Sequence, residues 1–244
     1  MSNQPLGGKS ALVTGGARRV GRGIALALAE AGADVALTYR TSYAQAIETA
    51  HQIENLGRRA LAIECDVRSE DSVQQAVAAT AGRFGRLDLV VNNAAVFQSA
   101  SLDSLTLEDW DEVFETNARG PFLVAREALP HLRAVEGRIV NIGSLGGIHA
   151  WAGHAHYCAS KAALNMLTQA MAKAFAPEVS VNCVAPGWIE LDEKSVQSAA
   201  HFAAKTPMRR NGSVDDVAQA VLFFAAGPHF ITGQVMVVDG GLGL

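Results

Sequence analysis

What most constrains this chain is an alternation, in which short apolar runs ending in turn residues are separated by stretches of helical spacing. "SALVTG" leads into "VGRGIALALAEAGA", where Ile24, Leu28 and Ala31 recur at helical intervals and stop at Gly32. The pattern then repeats. Strand "DVALTY" precedes a helix near 43–56, "RALAIECDV" a helix over 70–83, and "LDLVVNN" helices across 106–134. Strand "GRIVNIGS" precedes a helix near 155–175, and "SVNCVAP" is separated from the last strand, "QVMVVDG", by a helix over 214–226. Strands joined through helices need crossover connections, so these seven runs predict an α/β, doubly wound parallel sheet with helices on both faces. "LDLVVNN" and "RIVNIGS" are almost continuously apolar, as strands buried on both faces must be. Residues 188–212, with Pro207 and Gly212, are the least regular part. In such a sheet a segment of this kind covers a ligand crevice at the carboxyl ends of the strands.

Composition narrows the function classes. A net charge of −4 offers no basic face for a polyanion, which argues against nucleic acid as a partner. The opening "MSNQPLGGKS" has no basic region followed by an apolar one, and no apolar run is long enough to span a membrane, so a cytoplasmic protein with no membrane contact is expected. Cys65, Cys158 and Cys183 are far apart and odd in number, which reads as reduced thiols.

"TGGARRVGRG", Thr14 to Gly23, ends the first strand and opens the first helix. Backbone N–H groups and the helix dipole at such a turn can face a pyrophosphate, although glycine also serves strand-to-helix turns that bind nothing. About 20 residues further on, a site for an unphosphorylated ribose would carry Asp or Glu. Here stands "TYRTSY", in which Arg40 offers a forked donor suited to a phosphate and Thr41 and Ser42 offer hydroxyls. No carboxylate lies between Asp34 and Glu48. The reading is NADP, in the reduced form NADPH, rather than NAD. Gly15, Arg18, Arg19 and Val20 at the turn and Tyr39, Arg40 and Thr41 after the second strand form its phosphate side. Arg40 as a solvated strand-end cation is the alternative. Asp66 and Val67 end the third strand, where one can accept from an adenine amino group and the other pack on the ring. Asn93 and Ala94 in "NNAA" end the fourth, and asparagines there are also ordinary turn formers.

The chemistry concentrates in "HYCASK", where Tyr157 and Lys161 are four apart and share a helix face. A phenol of pKa about 10 is a poor base at neutral pH. An ammonium about 5 Å away, at an effective dielectric near 20, favours the phenolate by roughly 3 kcal/mol, and desolvation offsets part of that. Ser144, at the end of "NIGS", can hydrogen-bond a substrate oxygen. Asn117 sits in an apolar helical stretch, where burial without a partner costs about 1 to 3 kcal/mol. A water held by Asn117 and linked to Lys161 would satisfy it.

Thr14–Gly15 with Gly21, "NNAA", Asn117, Ser144, "YCASK", "APGWI" and "FITGQVMVVDGG" together resemble the short-chain dehydrogenase/reductase family over almost the whole chain. The resemblance implies a Rossmann-type sheet of order 3-2-1-4-5-6-7, hydride transfer from a nicotinamide, and a catalytic tetrad of Asn117, Ser144, Tyr157 and Lys161. In it Tyr157 protonates the carbonyl oxygen, Ser144 steadies it, Lys161 lowers the tyrosine pKa and binds the nicotinamide ribose, and Asn117 holds a relay water. Pro186, Gly187 and Ile189 would lie beside the nicotinamide. It also implies a homotetramer paired through the helices of 106–134 and 155–175 and through the C-terminal strands. On this reading residues 1–244 are one dinucleotide-binding and catalytic domain, with 188–212 as its substrate-covering segment. Two positions depart. Leu191 stands where the family often has Thr, and Arg19 replaces the middle glycine of the turn. The second departure, with "TYRTSY", is similar to the pteridine reductases, a branch of the family.

For the substrate, Phe97 falls where those reductases stack a pteridine ring, whereas Ser144 resembles 3-oxoacyl-carrier-protein reductases and general carbonyl reductases. A small-molecule carbonyl and a pteridine are thus the two substrate readings. Trp151 and Trp188 would make the pocket broad and apolar, or serve packing alone. His149, His154 and His156 lack the carboxylate a metal site would add, and no metal is expected. An NADP-binding sensor without turnover, or an α/β protein that binds no dinucleotide, are the non-enzymatic alternatives.

Overall fold

The computed structural model describes residues 4–191 and 196–244. Seven strands form one sheet: β1 (Ser10–Val13), β2 (Asp34–Tyr39), β3 (Ala60–Glu64), β4 (Leu89–Asn92), β5 (Arg138–Ile142), β6 (Ser180–Pro186) and β7 (Val235–Val238). All pair in parallel, in the order 3-2-1-4-5-6-7. The Rossmann-type architecture is therefore the one the motifs imply.

Among the described residues eight α-helices connect the strands: α1 (Arg19–Glu30), α2 (Tyr43–Asn55), α3 (Glu70–Phe84), α4 (Leu107–Phe114), α5 (Gly120–Arg133), α6 (Ala155–Phe175), α7 (Val196–Lys205) and α8 (Val214–Ala226). Strand alternation sorts them into two layers. Ala11 and Val13 of β1 pack with Ile24 and Leu28 of α1, Ile53 of α2 and Val221 of α8. Leu12, pointing the other way, packs with Val77 of α3, Leu132 of α5 and Met171 of α6. β1 lies between β2 and β4, so connections leave it towards both halves of the sheet, and the crevice this opens lies at the carboxyl ends of the strands.

Local chemistry sets several boundaries. Ser69 caps α3 by accepting from the Ser72 N–H, and Gly85, with φ +78°, ends it in the left-handed region. Ser213 and Asp216 close a capping box at the start of α8. Between α4 and α5 the helix widens into one π turn, Glu115–Arg119.

One expectation changes. The segment 188–212, read as irregular, contains α7. Its Asp192, Glu193, Lys194 and Ser195 lie outside the described residues. β7 is only partly buried, unlike the other strands of its half of the sheet. Among the described residues no helix is long and apolar enough to cross a membrane, and no group of three His, Cys, Asp or Glu side chains could hold a metal ion. Cys65, Cys158 and Cys183 are buried and unpaired with one another.

Candidate active site

The carboxyl ends of the strands open into a cleft of about 410 Å³, running from Arg40 and Asp66 at one end to Phe97, Ser144 and Tyr157 at the other. Its first wall is the turn after β1. Gly15 has φ +62°, and a Cβ at Gly21 would come within 2.2 Å of the Gly15 carbonyl oxygen, so the turn closes only with glycine at both positions. A clasp holds it. Asn93 Nδ2 donates to the carbonyls of Thr14 and Gly15 at 2.9 and 3.0 Å, while Thr14 Oγ1 accepts from the N–H groups of Asn93 and Ala94 at 3.0 and 3.1 Å. Thr38 Oγ1 of β2 accepts from Gly15 N at 3.1 Å. The Asn93 side chain thus shapes the turn. Thr38 was not singled out from the sequence, where it is one more strand residue.

Arg19, in place of a glycine, keeps the glycine's backbone, with φ +52°. Arg18 is extended and precedes the first turn of α1. Both side chains are exposed and line the cleft, as do Val20, Tyr39, Arg40, Thr41 and Ser42. With this tight turn at the amino end of α1 and with Arg18, Arg19 and Arg40 along it, the cleft fits a dinucleotide, whose phosphates a helix amino end and cations would hold.

Asp66 and Val67 line the cleft too, but the Asp66 carboxylate is already engaged. Arg68 grips it through Nε and Nη2 at 3.0 and 2.6 Å, and this hydrogen bonding holds the carboxyl below its usual range. Any adenine amino group would share an acceptor whose other lone pairs are taken.

Tyr157 and Lys161 face the cleft from the first turns of α6. Lys161 is buried and its Nζ donates to the Ile142 carbonyl of β5 at 2.7 Å, 5.8 Å from the centre of the Tyr157 ring. Burial lowers its pKa to about 8, against a smaller opposing effect of Cys183. Burial also raises the Tyr157 phenol above its ordinary value, partly opposed by a hydrogen bond with Ser144. The shift runs opposite to the expected direction: burial dominates, Ser144 offsets only part of it, and the phenol keeps its proton. Ser144 begins the turn Leu145–Gly147, with its Oγ accepting from Gly146 N at 3.1 Å.

Asn117 lies in the π turn, completely buried. Its Oδ1 accepts from Val96 N at 2.8 Å, and its Nδ2 donates to Val96 O at 2.9 Å and to Ser160 Oγ of α6 at 3.1 Å. These three bonds satisfy the side chain with protein groups. It ties the strand-end loop of Phe97 to the helix of Tyr157.

Aromatic rings surround the phenol. Phe97 meets Tyr157 edge-on with centroids 4.8 Å apart and stacks on His154 at 4.7 Å. Trp151 lies parallel to the Tyr157 ring at 6.3 Å. Two residues expected here are elsewhere. Trp188 stacks on Phe202 of α7 at 3.9 Å and is not among the lining residues. Ile189 packs against the core of the α1 side and bridges to Gly212. Pro186, Gly187 and Leu191 do line the cleft. An apolar Leu191 leaves no hydroxyl at that place.

Comparison with known proteins agrees with this geometry. The family described as enoyl-(acyl carrier protein) reductase matches residues 15–243. A 3-oxoacyl-(acyl-carrier-protein) reductase of Staphylococcus aureus is 37% identical, over 96% of this chain and 98% of its own. A short-chain dehydrogenase from Burkholderia cenocepacia, solved in complex with NADP, superposes with a TM-score of 0.92 at 41% identity, covering 98% of this chain and 100% of its own. A blue fluorescent protein from a metagenomic library, solved with NADPH, gives a TM-score of 0.91 at 36% identity over 99% and 100% of the two chains.

Proposed function

Because this chain belongs to the short-chain dehydrogenase/reductase family, we propose that it is an NADPH-dependent oxidoreductase that reduces a carbonyl, or oxidises the corresponding alcohol, with Tyr157 as proton donor or acceptor. One observation carries the reading. Tyr157, Ser144 and Lys161 meet at one end of a cleft whose other end carries Arg40 and whose wall is the glycine turn.

When bound, the nicotinamide would supply the hydride to the carbonyl carbon. Gly15, Arg18, Arg19, Val20, Tyr39, Arg40 and Thr41 would hold its phosphates and ribose, and Pro186 and Gly187 would flank its reactive end. Leu191 supports an apolar contact there in place of a hydrogen bond. The protein's own part is proton transfer. A buried, protonated phenol suits the reducing direction, in which Tyr157 gives its proton to the carbonyl oxygen while the Ser144 hydroxyl steadies that oxygen. As the proton leaves, the Lys161 ammonium, whose Nζ lies 5.8 Å from the centre of the Tyr157 ring, stabilises the charge left on the phenol oxygen; at about 5 Å and an effective dielectric near 20 such a pair is worth roughly 3 kcal/mol. Asn117 and Ser160 keep the Phe97 loop and α6 in one geometry.

A second reading concerns the substrate. Phe97 is half exposed in the cleft, with an edge on Tyr157 and one face on His154, which supports a flat ring such as a dihydropteridine. Ser144, a neutral donor beside the phenol, supports a simple carbonyl. We read residues 188–212 as the substrate cover and the whole chain as one domain. Exposed Phe122 of α5 and Met166 of α6, with Val237 and Leu244 near the C-terminus, support a homotetramer.

The deciding experiment follows NADPH oxidation with a panel of carbonyl compounds and with dihydrobiopterin and dihydrofolate, for wild type and Tyr157→Phe. Turnover in wild type that falls at least about a hundredfold in the variant is expected. Equal rates would reject Tyr157 as the proton donor, and binding of NADPH without turnover of any compound would favour a sensor.

A further inference from the structure

Beyond the glycine turn, the rim of the cleft carries a set of charges that the cofactor motif does not account for. Glu112 stands on α4, and its Oε1 lies 3.8 Å from Arg40 Nη1 and 3.6 Å from Arg68 Nη1. Its Oε2 accepts from Gln98 Nε2 at 3.0 Å, one residue past Phe97. Arg68 in turn grips Asp66. Two cations and two carboxylates thus alternate along the rim, and their charges cancel.

The two arginines are held differently. Arg68 is fixed on Asp66 by short, forked hydrogen bonds down to 2.6 Å. Arg40 has a long ionic contact with Glu112 and lies within the field of the Asp66 carboxylate, and its side chain is about half exposed, at 49%. A guanidinium in that state can turn towards a phosphate without first breaking a hydrogen bond to Glu112. The Glu112 carboxylate, however, stays within the field of whatever Arg40 binds.

We propose that Glu112 is a specificity-determining residue: it acts as an exchangeable counter-ion to Arg40 and opposes the ribose 2′-phosphate, so that it sets how strongly the chain prefers a phosphorylated adenosine. The inference rests on the reading of Arg40 as the phosphate cation. Without Glu112 this set of side chains would carry one net positive charge, and the preference would sharpen. With it, the site keeps a weaker grip and admits exchange between the two forms of the cofactor.

A phosphate monoester carries a charge of about −1.5 to −2 at neutral pH. A unit carboxylate within several ångströms, in a largely aqueous setting, then changes its affinity by about five- to tenfold at low salt, and by less as salt screens the pair. The test is calorimetric titration of the whole protein with adenosine 2′,5′-bisphosphate and adenosine 5′-monophosphate. The proteins are wild type, Glu112→Gln, Arg40→Ala and the double variant. Glutamine keeps the size of the side chain and a partner for Gln98.

The Glu112→Gln protein should bind the bisphosphate about five- to tenfold more tightly at low salt, with the monophosphate within about twofold of wild type, and the gain should vanish in the Arg40→Ala background. Equal tightening of both ligands, or no change in either, overturns the role of Glu112. If Arg40→Ala abolishes the bisphosphate preference while Glu112→Gln leaves it untouched, only the Glu112 inference falls. If Arg40→Ala leaves the preference intact, both fall.

Discussion

At the scale of single residues, Arg19 is the clearest case of a side chain kept against its backbone. The left-handed conformation costs a non-glycine residue about 1 kcal/mol or more, and Arg19 adopts it with φ +52° at the mouth of the cleft. Arg19→Gly should therefore raise stability by about 1 kcal/mol, which is about 2–4 °C in Tm for a chain of this size, while weakening NADPH more than NADH. A thermal melt and two cofactor titrations measure it; equal losses for the two cofactors would remove the phosphate role of Arg19. Lys161 shows a related conflict. Its pKa is about 8 in the folded chain against 10.5 ordinarily, so above pH 8 the folded state loses its proton first and the unfolded state holds more protons. Stability must rise with pH across that window. Urea melts should show wild type gaining on Lys161→Met by about 3 kcal/mol at most between pH 7 and pH 10. A gap that is constant with pH would mean that burial leaves the Lys161 pKa at its ordinary value, so that the ammonium keeps its proton in the folded chain. The motif Tyr-x-x-x-Lys was legible from spacing alone. The direction of the Tyr157 shift was not, because it depends on how much water the aromatic neighbours exclude, and those come from two separate loops, after β4 and before α6.

At the scale of elements, the π turn does what no regular helix could. It inserts Asn117 between two ordinary helices so that its amide reaches Val96 and Ser160 together. From the sequence, Asn117 was visible only as a polar residue among apolar ones. The identity of its partners needed the fold. The helix α7 went unread for a different reason: Pro207 and Gly212 drew attention away from the helix-favouring run Ala199, Ala200, Phe202, Ala203 and Ala204 that precedes them. That helix supplies Phe202, which takes Trp188 out of the cleft. On their outer faces α5 and α6 expose Phe122 and Met166. If pairing of these helices builds the assembly, the double change Phe122→Glu and Met166→Glu should convert a four-chain particle into smaller species with the far-ultraviolet circular dichroism unchanged. Sedimentation equilibrium measures this, and a wild type that sediments as a single chain would end the tetramer reading.

At the scale of the whole molecule, strand and helix alternation pointed to a parallel sheet covered on both faces, because a parallel strand leaves few ways to return, and the order of its strands was implied by the family resemblance. What alternation could not show is which loops touch at the carboxyl edge. Glu112, Arg68 and Arg40 come from α4, the end of β3 and the end of β2, and only the folded sheet makes them neighbours. The clasp across the glycine turn has a similar span, joining Thr14 and Gly15 to Asn93. For a chain growing from the ribosome this imposes an order of events. β1 and β2 emerge early and can pair, and Thr38 then holds one side of the turn between β1 and α1, but its clasp to Asn93 is missing until β4 has been synthesised and has slid in beside β1. A nascent chain that has not reached Asn93 thus owns every residue of the glycine motif without owning its shape, so small-molecule ligands can begin to assist folding only after the fourth strand has left the exit tunnel.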